Sequence, residues 1–274
     1  WLLSALFGVI VSATDPAAVF ATLRVQRLKL KHGLGTLAEL ESAANDPVAV
    51  ILALTLLVMT RESVPSLMTL VPSFAQQVIV GLAIGGTVGT IASRLTTALT
   101  RGSIASGSVL SLLLGLTSYA VADHLGGSGY LAAYLAGLMA GRAAYPAAVT
   151  RFHARLSDVL QAVMFLVLGL MADPAALRSA LVPGTLLALL LLLCARPISV
   201  WLTPPYGRAT WREQLMLSWL GLRGAVPIIL AMLVMLSGAP HSSELLALVF
   251  VVVLVTAIVQ GTTMSALAKR LRLV

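Results

Sequence analysis

Two carboxylates and an amide crowd one apolar stretch, Glu41-Ser42-Ala43-Ala44-Asn45-Asp46-Pro47, with Glu39 just ahead of it. Read as helix, Glu41 and Asn45 share one face, and Ser42 and Asp46 share the neighbouring face, because positions four apart stack. Oxygen donors therefore gather within about one and a half turns. Hard cations prefer oxygen ligands, and a carboxylate can hold a cation or a proton at the same place. An ionisable group at hydrocarbon depth costs about 2.5–3.5 kcal/mol on insertion scales, so two acids and an amide there argue for an ion site. The alternative is a buried polar packing network. Pro47 removes one helix hydrogen bond and crowds the carbonyl of Ala43, which predicts a loosened backbone beside Asp46.

Three further groups carry related chemistry. Ser12-Ala13-Thr14-Asp15-Pro16 places Asp-Pro in the middle of an apolar run. The missing proline N–H frees carbonyls around Val11 and Ser12, and unwound backbone at membrane depth must line protein or a cavity. Asp15 can cap the helix that follows, ligate an ion, or do both. Gly221-Leu222-Arg223-Gly224-Ala225-Val226-Pro227 predicts a second broken helix. Two interrupted spans in separate halves of a chain point to a transporter site built from inverted repeats. Ala195-Arg196-Pro197 adds an arginine in lipid that needs a carboxylate partner, and Glu41 is the preferred one. If they pair, Glu41 and Arg196 form a structural strut, and Arg223 is left near Asp15 or near the ion site. Against Asp15, Glu41 and Asp46 stand Arg196 and Arg223, which leaves one negative charge unbalanced. A buried site does not tolerate that charge, so one proton or one monovalent cation should occupy it, with Asp46 as the titrating group.

These residues need elements that hold them at membrane depth, and the composition supplies them. The 274 residues are 59% hydrophobic and 10% charged, with mean hydropathy +0.99. A soluble domain carries about 25% charged residues. Apolar runs near 20 residues long recur along the chain, and strand-like alternation is absent, so the fold class is all-α, a polytopic membrane protein. Nine spans are predicted, at 1–23, 34–60, 74–97, 106–123, 129–141, 157–172, 181–203, 214–236 and 244–266. The fifth is expected to run on through Tyr145, and Pro65, Pro72, Pro146, Pro174, Pro183, Pro204, Pro205 and Pro240 are expected in or beside connections.

Charge placement orients the spans. The odd-numbered connections and the tail hold Arg24, Arg27, Lys29, Lys31, Arg94, Arg101, Arg142, Arg151, Arg155, Arg208, Arg212, Lys269, Arg270 and Arg272, while the even-numbered ones hold only Arg61 and Arg178. By the positive-inside rule the odd connections and the C-terminus face the cytoplasm, and Trp1 lies outside. The formal charge of +8 is thereby a matter of topology and not of nucleic-acid binding. The sequence opens at Trp1 in an apolar run, without an initiator Met or a signal-peptide n-region, and reads as a fragment. Gly81, Gly85 and Gly89, like Gly137 and Gly141, have the spacing of close helix packing, within the chain or across a dimer. His32, His124, His153 and His241 lack metal-ligand spacing, Cys194 stands alone, and no phosphate loop suggests a nucleotide or any other cofactor.

Ala13-Thr14-Asp15-Pro16, Glu41-Ser42 with Asn45-Asp46, and Gly221-Leu222-Arg223-Gly224-Ala225-Val226, in that order, resemble sodium/proton exchangers of the cation:proton antiporter superfamily. The resemblance is to the electroneutral branch with an Asn-Asp pair, and it is nearest to bacterial potassium/proton antiporters of the cell-volume-regulation type. It implies an inverted-repeat fold of thirteen spans, of which residues 1–274 would be one transporter domain holding the last nine. It implies exchange of Na⁺ or K⁺ for H⁺ one-for-one, pH homeostasis, and a multi-pass place in a bacterial cell membrane. It also implies Asp46 as the essential carboxylate, Thr14 and Ser42 as ligands, Asp15 and Asn45 in support, a Glu41–Arg196 ion pair, and a homodimer. From other classes, a cation channel would need a continuous polar lining, and a non-transporting scaffold would leave the surplus charge unexplained.

Overall fold

In the computed structural model the described residues are 2–15, 19, 23, 30–61, 67–100, 104–141, 147–171, 173–203 and 209–274, and they are helical with no strand among them. Pro16, Pro65, Pro146, Pro204, Pro205, the run through Tyr145, and the loop cations Arg24, Arg27, Lys29, Arg101, Arg142 and Arg208 lie outside the described residues. The helices are α1 (Leu2–Ser12), α2 (Leu34–Arg61), α3 (Leu67–Thr100), α4 (Ile104–His124), α5 (Gly129–Gly141), α6 (Ala147–Met171), α7 (Pro174–Leu190), α8 (Arg196–Leu202), α9 (Trp211–Trp219), α10 (Ala225–Leu236) and α11 (Ser242–Arg270). Among the described residues five segments are long and apolar enough to cross a membrane: Lys31–Met59, Val71–Leu95, Ala105–His124, Pro174–Leu202 and Ser242–Arg270. The chain is a multi-pass membrane protein.

Two compact units are present, one of Trp1–Ala49 with Met164–Val274 and one of Val50–Val163. In the first, α1 packs on α10 and α11, α7 packs on α11, and α9 packs on α8 and α11. Its core draws Leu34 and Ala38 from α2, Met216, Leu217 and Leu220 from the end of α9, and Met264 and Ala268 from α11. In the second, α3, α4 and α5 pack on one another. A Cβ at Gly81, Gly85 or Gly89 would fall within 3 Å of the α5 backbone or the Ser128 carbonyl leading into α5, so these glycines serve close packing within the chain. Nothing lies within 4 Å of a Cβ at Gly137 or Gly141.

Several prolines do not sit where spans alone would put them. Pro72 and Pro183 lie inside α3 and α7, not beside connections. Asp173 caps α7 by accepting from the Ala175 N–H at 3.0 Å, with Pro174 at the first position, so the helix begins ahead of the predicted span at 181. Likewise α6 starts at Ala147, ten residues ahead of the predicted span. Pro47 leaves α2 a continuous helix from Leu34 to Arg61. Pro197 does perturb its surroundings. A π-helical turn, Leu191–Ala195, joins α7 to α8, and Arg196 donates its backbone N–H to Leu191 five residues back. A π turn inserts one extra residue and rotates all that follows, which aims Arg196.

Candidate cation site

The site begins where α1 stops. Ala13, Thr14 and Asp15 are unwound, and the carbonyl of Ser12 has lost its helical partner because Pro16 carries no N–H. Asn45 meets that need, its Nδ2 donating to the Ser12 carbonyl at 2.6 Å. Thr14 and Ser42, both buried, hold Oγ1 and Oγ 2.8 Å apart. The first broken segment is thus fastened to α2 at two successive turns, once through backbone and once through a hydroxyl pair.

A second unwound stretch, 220–224, separates α9 from α10 and meets the first. The Asp15 backbone N–H donates to the Leu222 carbonyl at 2.8 Å. The two interrupted segments therefore meet, and the second supplies a backbone partner to the first, which helps irregular backbone to persist at this depth. The crossing is possible only with glycine at 224, since a Cβ there would fall inside the Asp15 carboxyl group. Gly221 does the same for Arg196, whose Nε would lie 2.5 Å from an added Cβ.

The charges fall into two sets. Arg196 donates to both oxygens of Glu41, through Nη1 to Oε1 and through Nη2 to Oε2 at 2.9 Å, and its Nη2 reaches toward the Leu217 carbonyl at 3.5 Å. The fork-to-fork geometry makes the pair locally neutral and ties α2 to α8 and the end of α9. Arg223, 7% exposed, donates Nη1 to the Gly221 carbonyl at 2.7 Å and feels the charges of Arg196 and Glu41. Asp46 is the other set. The Thr14 backbone N–H faces its carboxylate, and Asp15 is near enough for their charges to repel. Its Oδ1 is buried without a hydrogen-bond partner among the described residues. A buried carboxylate oxygen on the same stretch of helix as one half of a buried hydroxyl pair is a place where a small cation or a proton can bind.

Asp46, Ser42, Thr14, Asp15, Asn45, Glu41, Arg196 and Arg223 all fall in the first unit, while the Glu39 side chain lies outside the described ones. Sequence reading treated Asn45 as a member of the ion site and did not foresee its bond to the Ser12 carbonyl, although Pro16 was the signal for it. It also missed a cluster ahead of the broken eighth span. Thr210 and Glu213 form a capping box at the start of α9, and His32 places Nδ1 2.5 Å from Glu213 Oε1. The Thr210 backbone N–H, and then its hydroxyl and His32, hold the Glu213 carboxyl below its ordinary range. The Thr-x-x-Glu spacing was the available signal.

Comparison with known proteins is consistent along the whole chain. Residues 1–270 match the profile of the transmembrane sodium/hydrogen exchanger family. A relative named K(+)/H(+) antiporter NhaP, from Alkalimonas amylolytica, is 37% identical over 278 residues, covering 100% of this chain and 48% of its own length. K(+)/H(+) antiporter NhaP2 from Shewanella baltica is 38% identical over 276 residues, covering 98% of this chain and 47% of its own. The chain thus spans about half the length of the curated relatives it matches. The solved sodium proton antiporter MjNhaP1 from Methanocaldococcus jannaschii superposes with a TM-score of 0.79, at 23% identity, over 98% of this chain and 71% of that one. That likeness shows the fold.

Proposed function

The chain belongs to the transmembrane sodium/hydrogen exchanger family, and on that premise we propose that the protein carrying it exchanges one monovalent cation for one proton by alternating access. Asp46 is the carboxylate that both ions use in turn. The observation that carries this reading is the buried, unpartnered Oδ1 of Asp46 beside the Thr14–Ser42 hydroxyl pair at the crossing of two unwound segments. Thr14 and Ser42 supply neutral oxygens, and Asp15 adds the second charge that draws a cation in. Asn45 keeps the neighbouring position neutral and holds the Ser12 carbonyl in place. Counting Asp15, Glu41 and Asp46 against Arg196 and Arg223, with Glu41 neutralised by Arg196, leaves one negative charge. One monovalent cation or one proton balances it, which supports electroneutral exchange.

Two relatives bear potassium in their names and a solved one sodium, so K⁺ is the first cation to assay and Na⁺ the second. The distribution of Lys and Arg supports an orientation with residue 1 outside and the C-terminus in the cytoplasm. The homodimer that the resemblance implies belongs to the same proposal. The test is Asp46→Asn in the complete protein, in everted vesicles with an imposed pH gradient. The variant is expected to leave the gradient standing when K⁺ or Na⁺ is added, whereas the parent collapses it. Collapse by the variant at the parent's rate would remove Asp46 from the mechanism.

A further inference from the structure

Gln260 of α11 is 0% exposed and lies far in sequence from every residue assigned to the ion site. Its Nε2 donates to the carbonyl of Trp219 at 3.0 Å. Trp219 closes α9, and its carbonyl is one of those that a helix C-terminus leaves without an intrahelical partner. One turn further along α11, Thr263 Oγ1 accepts from the Trp219 indole N–H at 2.9 Å. The same α11 face therefore holds the last residue of α9 twice, by backbone and by side chain. Immediately beyond, Leu222 turns back to donate its N–H to the Leu220 carbonyl at 2.9 Å, and its own carbonyl receives Asp15. Where the chain leaves α9 sets where it crosses the first broken segment.

A bond serving only helix packing would be complete, and this one is not. The amide oxygen of Gln260, Oε1, is buried with no partner among the described residues. An unmet buried acceptor costs about 1–3 kcal/mol, while an apolar side chain of the same volume would pack there at no such cost. The segment that Gln260 anchors carries a matching unmet donor. Arg223, four residues after Trp219, has its Nε buried and unpartnered while Nη1 is turned to Gly221. Unmet polar groups thus stand on both the anchoring helix and the anchored segment.

We propose that Gln260 is a positioning residue for the exchange cycle, holding the end of α9 through the Trp219 carbonyl and keeping its own oxygen for Arg223 when the unwound segment changes conformation. This inference rests on the exchange reading given above. It requires that loss of the amide act chiefly on the conformational step and less on cation affinity, because the hydrogen bond of Gln260 goes to the end of α9 and not to a group at Asp46.

The experiment uses the complete protein with Gln260→Met, which keeps the volume and removes donor and acceptor, and Gln260→Asn, which keeps the amide one methylene shorter. Two quantities are read: vesicle exchange kinetics, and backbone hydrogen exchange of a peptide covering residues 219–225 in detergent. For Gln260→Met the maximal exchange rate is expected to fall about tenfold with the cation KM changed less than about twofold. Gln260→Asn is expected to recover part of that rate, and hydrogen exchange of 219–225 should speed up in the Met variant. An unchanged maximal rate overturns the proposal. So does a loss of rate in both variants that only follows their loss of thermal stability, which would mark a packing role. Unchanged protection of 219–225 also overturns it, whatever the vesicles do. Faster hydrogen exchange with no cation-coupled proton movement even in the unsubstituted protein would instead sink the exchange reading and leave the hold on α9 standing.

Discussion

Gly85 on α3 and Gly224 ahead of α10 both stand where a Cβ would overlap a neighbour, but the neighbours differ in kind. At Gly85 the obstacle is the α5 backbone at Ala132, 2.6 Å from the Cβ to its carbonyl oxygen. Both strands of that contact are helices whose peptide groups are already bonded internally, so the glycine gains only dispersion and close approach. At Gly224 the obstacle is the Asp15 carboxyl group. There the backbone is unwound, its peptide groups depend on partners from elsewhere, and the glycine lets a charge lie against the chain. Small residues thus do two jobs in this protein, one belonging to stability and the other to chemistry.

Substituting each glycine by alanine tests that division. Gly224→Ala should displace Asp15 and uncouple the crossing, lowering exchange by about 100-fold, the scale of a 1 Å misplacement at a reacting group. Gly85→Ala should cost about 1–3 kcal/mol of stability through overpacking. Exchange per folded molecule should then stay at the parental level. Vesicle rates normalised to folded protein, with detergent melting curves for each variant, give both readings. If Gly85→Ala impairs exchange as severely as Gly224→Ala at equal folded protein, the two glycines do not differ in function.

A smaller effect is expected at the Glu41–Arg196 pair, which belongs to the same crossing but whose charges are spent on each other. Breaking a buried pair by removing one partner costs about 3–5 kcal/mol. Here the Glu41 side chain is 37% exposed against 10% for Arg196, so solvent screening brings the expectation down to about 1–2 kcal/mol for Arg196→Ala. Glu41→Ala with Arg196→Ala should be milder than the sum of the two, since neither charge is then stranded. Melting curves of the singles and the double give the coupling. Additive losses would mean that the pair is not a strut.

What could be read in advance, and what could not, follows from how far each physical cause reaches along the chain. The breaks at Asp15-Pro16 and Gly221–Pro227 were legible because proline and glycine act on their own backbone. The partnership of Arg196 with Glu41 was legible at a separation of 155 residues, because an arginine in hydrocarbon must find a carboxylate and few are available. The capping role of Asn45 was not, since an amide next to a buried acid suggests ligation before it suggests a lost carbonyl one helix away. Gln260 gave no sign at all. A lone glutamine in an apolar helix carries no charge to balance and no pattern to complete. The early starts of α6 and α7 were hidden for another reason: hydropathy marks where an apolar run is richest, whereas a cap such as Asp173 sets where a helix begins.

The smallest effect belongs to Glu213, where the comparison can be sharpened outside the crossing altogether. Its carboxylate accepts from the Thr210 N–H at 2.6 Å and the Thr210 hydroxyl at 2.9 Å, with His32 on the other oxygen, and these contacts hold it below its ordinary value of 4.5. A carboxyl group lowered in the native state stabilises the fold above its unfolded value and loses that contribution as the pH falls through the native one. Glu213→Gln keeps an acceptor for Thr210 but no charge, so it should cost about 0.5–1 kcal/mol at pH 7, within the range of a helix-start carboxylate. The difference between variant and parent should then shrink below about pH 4.5 as the parent's own carboxylate protonates. Melting temperatures from pH 7 down to the acid limit of the folded protein measure it. A difference that stays constant throughout would mean that Glu213 holds the start of α9 by shape and not by charge, which would make this helix start a closer relative of the α3–α5 seam than of the crossing.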